Sequence, residues 1–201
     1  MLVLHYTGMI SAAAALDRLC DAEAKVSAHY TIDEDGTVYR HVPEQRRAWH
    51  SGISHWAGAD NVNARAIGIE LVNPGHEHGY RAFPDAQISA LIRLSQGIVL
   101  RHPIATSMVL GHSDVAPTRK EDPGELFPWA KLAAAGIGLW PQAMDSDIGP
   151  HALIRYGYDP NGPMDKVITA FQRHFRPAKL DGQWDAECAG LLASLIRQAG
   201  V

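Results

Sequence analysis

Several features are missing from this sequence of 201 residues. No apolar run approaches the roughly 20 residues that a membrane-spanning helix needs, and the first residues, MLVLHYTGMI, lack the basic start and cleavage site of a signal peptide. Basic side chains are scattered: 18 Lys and Arg stand against 22 Asp and Glu, for a formal net charge of −4. The sequence therefore predicts no transmembrane span and no nucleic-acid surface.

Cysteine is also scarce, whereas histidine is abundant. The two cysteines, Cys20 and Cys188, lie far apart without metal-type spacing, so we expect free or buried thiols and no disulfide. Eleven histidines are many for a chain of this length. Histidine is the side chain most used for proton transfer near neutral pH and for metal ligation, so the positions of the histidines carry the functional argument.

Short β-type runs alternate with helical patterns over the first two thirds of the chain. An Asp-Gly turn signal at Asp35 and Gly36 predicts a hairpin, and a long polar loop is expected from Pro43 to Ala64. We expect Ser11 to cap a helix that extends to about Val26. The predicted strands are LVLHY, SAHYTI, TVYRHV, AIGIELVN and SMVLGH, and further helices begin at Pro84 and within FPWAKLAAAG.

The last part of the chain has a different pattern. The stretch PQAMDSDIGP is typical of a linker, and apolar residues then recur at helical spacing in 164–175 and 186–196. We therefore predict two domains, residues 1–144 and a small all-α domain over residues 145–201. About fifty residues bury only a marginal core, so the second unit is expected to lean on the first.

Three polar residues stand where β-type runs end: His5, Glu70 and His112. Strand ends side by side in one sheet would direct these side chains to one pole. Two histidines and a carboxylate form a ligand set for catalytic Zn²⁺, and Asp122, ten residues after His112, is the best third ligand. Glu70 is then free to act as general base, and Lys120 could face the oxyanion that forms on a carbonyl.

Each of these residues also has a structural interpretation. A histidine at a strand end is ordinarily structural or exposed, and an aspartate before proline is ordinarily a turn residue. Asp114 in the same loop is expected to be a turn or capping residue. Lys120 in a charged loop is ordinarily solvated. Glu70 is the exception, because a carboxylate within a run of Ile, Leu and Val is costly unless it is paired or functional.

Five stretches together resemble the zinc-dependent N-acetylmuramoyl-L-alanine amidases of the AmpD and AmiD type, which are relatives of the peptidoglycan recognition proteins. The stretches are VLHYT, SAHYTI, DGTVYRHVPEQRRAWHSGIS, NARAIGIELVN and GHSDVAPTRKEDPGELFPW. They occur in the family's order and cover most of residues 2 to 140.

The resemblance implies a role for each matching residue. His5, His112 and Asp122 match the ligands of one Zn²⁺ per chain, Glu70 the catalytic glutamate and Lys120 the catalytic lysine. Three more residues match positions near the substrate cleft, with a structural role as the alternative for the first of them: His29, Trp49 and His50.

The implied fold is α/β, with a mixed central β-sheet flanked by helices. The C-terminal part resembles the small helical peptidoglycan-binding domain of the AmiD-like branch, although its DGQWDAE stretch departs from the usual pattern. Polymer binding and a purely stabilising role both stay open for this part.

The implied activity is hydrolysis of the amide between N-acetylmuramic acid and L-alanine in peptidoglycan or muropeptides. We expect a monomer that acts in the cell envelope, with the cytoplasm as the alternative. Two other functions remain open: a peptidoglycan-recognition protein that binds without cutting, and a zinc peptidase that cuts another amide.

Overall fold

The centre of the molecule is a five-stranded sheet. A computed structural model describes residues 1–201, the whole chain. The strands of this sheet are β1 (Leu2–Tyr6), β2 (Tyr30–Ile32), β3 (Val38–Arg40), β6 (Ile67–Leu71) and β7 (Val109–Gly111), and a separate hairpin is formed by β4 (His55–Trp56) and β5 (Ala59–Asp60). The strand order is β3-β2-β6-β1-β7; β2 and β3 run antiparallel, and the other neighbours run parallel. The predicted mixed sheet is therefore confirmed.

Eight α-helices surround the sheet. They are α1 (Ala12–Cys20), α2 (Gly75–His78), α3 (Asp85–Arg101), α4 (His112–Val115), α5 (Trp129–Ala134), α6 (Ala152–Tyr156), α7 (Met164–Phe175) and α8 (Ala186–Ala199). None of them is both long and apolar enough to span a bilayer. Both cysteines are free, as predicted.

Three local differences from the predicted elements have physical reasons. Ser11 caps α1 as expected, but the helix ends at Cys20, because the Asp21 side chain accepts the N–H of Glu23 and starts a separate 3₁₀ turn. The hairpin β4–β5 lies inside the predicted loop, and α6 was not predicted. Both elements are too short for their sequence periodicity to reveal them.

The two faces of the sheet are covered by different helices. Successive strand residues point to opposite faces, so Leu2 and Leu4 of β1 pack in one cluster with α3 and α5 residues such as Leu91 and Leu132. Val3, between them, points to the other face. The sheet is therefore the middle of three layers.

The C-terminal helices form the third layer. Val3 and Leu110 belong to the same buried cluster as Leu153 of α6, Phe171 of α7 and Leu192 of α8. These helices thus cover apolar strand residues of the sheet, which agrees with the expectation that a unit of this size leans on its neighbour. The division into two domains at residue 145 stays a prediction.

Candidate active site

The register of the sheet brings the predicted site residues to one edge. His5 near the end of β1 is the direct partner of Glu70 in β6. On the other side of β1, Leu4 pairs with Gly111 at the end of β7, and His112 follows as the first residue of α4. The sequence-based expectation that these strand ends meet at one pole is therefore confirmed.

Asp122 completes a compact cluster with the two histidines. The three ligand atoms, Nδ1 of His5, Nδ1 of His112 and Oδ2 of Asp122, are each 3.0 Å from the other two. All three residues are buried. Ligand atoms bonded tetrahedrally to one Zn²⁺ lie about 3.3 Å apart, given metal–ligand bonds of about 2.0–2.1 Å. The triangle therefore has the size of one face of such a tetrahedron, and this group of side chains could hold a metal ion.

The outer hydrogen bonds of the two rings also suit a cation. His112 Nε2 lies 3.1 Å from the carbonyl oxygen of Ser51, which only accepts, so Nε2 is the donor, and the tautomer that carries its single hydrogen there keeps a lone pair on Nδ1. His5 Nε2 lies 3.0 Å from Nδ1 of His50, and donation along this contact leaves a lone pair on His5 Nδ1 as well. The lone pairs of the two Nδ1 atoms and the carboxylate oxygen of Asp122 then face one another and repel. A cation bound by all three atoms offsets this repulsion.

The turn at His50 and Ser51 is itself fixed by two neighbours. The side-chain carbonyl of Asn63 accepts the backbone N–H of His50 at 2.9 Å and that of Ser51 at 2.7 Å. Gly68 of β6 lies beneath the His50 ring, and a Cβ atom built at this glycine would be 2.4 Å from His50 Cγ. Gly68 therefore leaves the space in which the ring sits.

Burial controls the protonation of the cluster. Burial, together with His112, lowers the pKa of His5 to about 4, so the ring is neutral near pH 7, which is the form that binds metals. Burial acts to raise the pKa of Asp122, but His112 and His5 outweigh it and hold the pKa of that carboxyl well below its usual range.

Glu70 has a different environment although it lies beside the cluster. Burial, reinforced by the charge of Asp122, raises the pKa of Glu70 well above its usual range, and Lys120 acts in the opposite direction. Its Oε2 atom is buried without a hydrogen-bond partner. A carboxylate that no protein group satisfies, with a raised pKa, is suited to exchange protons with a bound molecule.

A cleft of about 680 Å³ opens over this edge of the sheet. Glu70, Lys120, His112 and Asp122 line it, and His5 is buried alongside them. The structure therefore brings together all five residues predicted for the metal centre and the chemistry.

The three residues predicted for the cleft have different positions. Trp49 and His50 line the cleft, with Trp49 53% exposed. His29 is buried and lies outside the lining: its Nδ1 accepts the N–H of Gly68, and its Nε2 contacts the carbonyl of Arg46, each at 3.0 Å. Both ring nitrogens of His29 are thus used within the protein, where they connect β6 to the loop at Arg46. This position agrees with the structural alternative stated for His29.

Asp114 is a capping residue, as expected, but its further contacts were missed. This aspartate is fully buried; its Oδ2 accepts the N–H of Gly111 at 2.7 Å, as a capping residue would, and lies 2.7 Å from Nδ1 of His174. Its Oδ1 accepts the hydroxyl of Tyr158 at 2.8 Å. Asp114 therefore links α4, which begins with His112, to α7 and to the segment that follows α6. No sequence signal connects it to partners 44 and 60 residues away.

Comparisons with known proteins agree with this geometry. Residues 1–125 match the family model of the N-acetylmuramoyl-L-alanine amidases. The chain is 38% identical to the N-acetylmuramoyl-L-alanine amidase AmiD of Escherichia coli, over all of this chain and 83% of the relative. It is also 38% identical to the 1,6-anhydro-N-acetylmuramyl-L-alanine amidase AmpD of Citrobacter freundii, over 56% of this chain and 58% of the relative.

Two solved structures share the fold over the whole chain. The E. coli AmiD structure, in complex with anhydro-N-acetylmuramic acid-L-Ala-D-γ-Glu-L-Lys, matches with a TM-score of 0.89 over 100% of this chain and 89% of that one. AmpDh3 of Pseudomonas aeruginosa, 34% identical, matches with a TM-score of 0.91 over 100% of this chain and 92% of that one. The chain therefore belongs to the N-acetylmuramoyl-L-alanine amidase family.

Proposed function

We propose that this protein is a zinc hydrolase that cuts the amide between the lactyl group of N-acetylmuramic acid and the L-alanine of the stem peptide. The observation that carries the proposal is the buried triangle of His5, His112 and Asp122, with the unsatisfied carboxyl of Glu70 beside it in one cleft. Binding sites need no such proton-exchanging group, so the pairing favours hydrolysis over recognition alone.

The residues of the triangle suit zinc. Two imidazole nitrogens and one carboxylate oxygen form a three-ligand set of the kind found in catalytic zinc sites, which keep a further position open. When bound there, zinc supplies Lewis-acid activation of water and of the scissile carbonyl. Ser51 and His50 hold the two imidazole rings in the orientation that this ligation needs.

Glu70 and Lys120 supply the remaining chemistry. The carboxylate of Glu70 takes a proton from the attacking water and passes it to the nitrogen of the leaving L-alanine. The ammonium of Lys120, on the rim of the same cleft, stabilises the negative charge that develops on the carbonyl oxygen. Both steps use groups that the cleft already brings together.

The relatives support the proposed substrate. The solved structure of AmiD holds an anhydromuramic acid tripeptide, and one structure of AmpDh3 holds an anhydromuramic pentapeptide. Because this chain matches both along almost its whole length, we propose a muropeptide as the substrate here. The cell envelope, favoured by the resemblance of the C-terminal helices to those of AmiD-like members, stays a prediction.

The exchange Glu70→Gln tests the proposed base. The variant is expected to retain one zinc per chain while turnover of a muropeptide falls by about 10²- to 10⁴-fold, the usual contribution of general acid–base catalysis. The matched control is Glu23→Gln, because Glu23 lies on an exposed 3₁₀ turn outside the cleft. A Glu70→Gln protein with zinc bound and turnover near that of the wild type would contradict the role of Glu70.

A further inference from the structure

One wall of the cleft comes from the C-terminal helices. Lys166, Thr169 and Arg173 of α7 line the same cavity as Glu70 and Asp122. Their spacing of three and then four residues places them on one face of the helix. The third layer of the fold therefore reaches the catalytic cleft with a face that carries two cations.

Arg173 has hydrogen-bonding capacity that the protein does not use. Only 11% of its side chain is exposed, and its contacts with the carboxylates of Glu121 and Glu125, at 3.9 and 3.8 Å, are longer than hydrogen bonds. Its Nε atom is buried without a hydrogen-bond partner. The two terminal nitrogens of its guanidinium donate no hydrogen bond within the protein and, unlike Nε, are not fully buried, so a ligand with acceptor oxygens in the cleft can reach them.

Lys166 adds a second cation about two helical turns away. It is exposed and occurs in none of the ion pairs of the protein, so its ammonium is free for a ligand. Another cation of the cleft, Arg119, is already used, because its guanidinium donates to the carbonyls of Ser51 and Ile53. Two other cations line the cleft outside α7: Arg18 of α1, and Lys120, to which the oxyanion is assigned. The cations that α7 itself brings to the cleft are Lys166 and Arg173.

We propose that this face of α7 binds the carboxylates of the stem peptide, with Lys166 and Arg173 as the contacting residues. The inference rests on the proposed function. A γ-linked glutamate keeps its α-carboxylate free, and a residue at the end of the peptide carries another. Two carboxylates in the substrate thus meet two cations on one helix face, and charge-assisted hydrogen bonds of this kind are stronger than neutral ones.

The acidic side chains of this wall are compatible with the inference. Glu121 and Glu125 approach Arg173 from the protein side and hold its guanidinium in place without taking its hydrogen bonds. Glu125 also lies 3.1 Å from Nε2 of His76, so part of its hydrogen-bonding capacity is used there. The C-terminal helices then take part in peptide recognition directly, inside the cleft, and not through a separate polymer-binding surface.

The test compares two substrates of equal length. One is anhydro-N-acetylmuramic acid-L-Ala-D-γ-Glu-L-Lys, and the other is the same compound with its carboxylates converted to carboxamides. The wild-type protein, Lys166→Gln and Arg173→Gln are assayed for kcat/KM on both, with Arg197→Gln as a control because Arg197 is an exposed cation of α8 outside the cleft. Thermal unfolding of each variant is measured alongside.

The preference of each variant for the carboxylate substrate is the ratio of its kcat/KM on that substrate to its kcat/KM on the carboxamide substrate. We expect each α7 variant to lower this preference by about tenfold, mainly through KM, and the control to keep the wild-type ratio. A structural role for α7 would lower kcat/KM on both substrates in parallel, and that result overturns the inference. Lys166 is exposed, so Lys166→Gln decides the matter even if Arg173→Gln unfolds. Failure of the wild type to cut either substrate overturns the proposed function itself, and the inference with it.

Discussion

Replacing Gly68 with alanine tests how the ring of His50 supports the metal centre. The new Cβ atom would be 2.4 Å from Cγ of His50, whereas ordinary contacts begin near 3.4 Å. The ring must therefore move by about 1 Å, the difference between these distances. In the wild type its Nδ1 atom lies 3.0 Å from Nε2 of His5, and a displacement of about 1 Å is enough to lengthen or misalign this hydrogen bond.

Two magnitudes follow from this displacement. Overpacking of a filled site costs about 1–3 kcal/mol, which exceeds the gain of about 0.4–1 kcal/mol from restricting the unfolded chain at a former glycine. We therefore expect Gly68→Ala to lower the free energy of unfolding by about 1–2 kcal/mol. Loss of the partner that orients His5 should weaken zinc binding by about 10- to 100-fold.

Urea denaturation and zinc competition against a chromophoric chelator measure the two effects. Gly149→Ala is the matched control, because a Cβ at Gly149 has no atom within 4 Å. In the double variant Gly68→Ala/His50→Ala the clash is gone, so its stability should equal or exceed that of His50→Ala. The reasoning is refuted if Gly68→Ala unfolds at the wild-type urea concentration and binds zinc as tightly as the wild type.

Two further variants probe interactions away from the ligands. Tyr158→Phe removes the hydroxyl that donates to the buried carboxylate of Asp114 and should cost about 2 kcal/mol of unfolding free energy in urea; an unchanged midpoint would contradict that value. Hydrogen bonding from Arg101 lowers the pKa of Glu44 from its ordinary 4.5 to about 2. The bond therefore stabilises the fold above pH 4.5, and this contribution is lost as the pH falls toward 2. The stability difference between the wild type and Glu44→Gln should shrink over that range of pH, and a constant difference would count against the assignment.

Much of the site could be predicted because it depends on strand ends. The buried run around Glu70 predicts a central strand, and parallel neighbours place His5 and His112 at the same edge. The register that pairs His5 with Glu70 confirms this reasoning. What makes Glu70 conspicuous in the sequence, a carboxylate among aliphatic residues, is also what raises its pKa in the structure.

The surroundings of the ligands could not be predicted, because they depend on contacts between distant segments. The Ser51 carbonyl that accepts from His112 is 61 residues away along the chain, and a backbone oxygen has no sequence signature. Asp114 looks like a turn residue locally, and only its packing against α7 shows that it is buried. Likewise, the sequence pattern of α7 predicts only that Lys166 and Arg173 lie on the polar face of an amphipathic helix. The fold shows that this face lines the cleft.

The central claim is the cleavage of one specific amide by a zinc-loaded site. The most direct measurement is mass spectrometry of the products from anhydro-N-acetylmuramic acid-L-Ala-D-γ-Glu-L-Lys, with zinc-loaded protein and with protein stripped by a chelator. The account predicts the free tripeptide, with an unblocked amino group on L-alanine, from the zinc-loaded protein, and an intact substrate from the stripped protein. Cleavage within the peptide, or release of the tripeptide at the same rate without zinc, would contradict it.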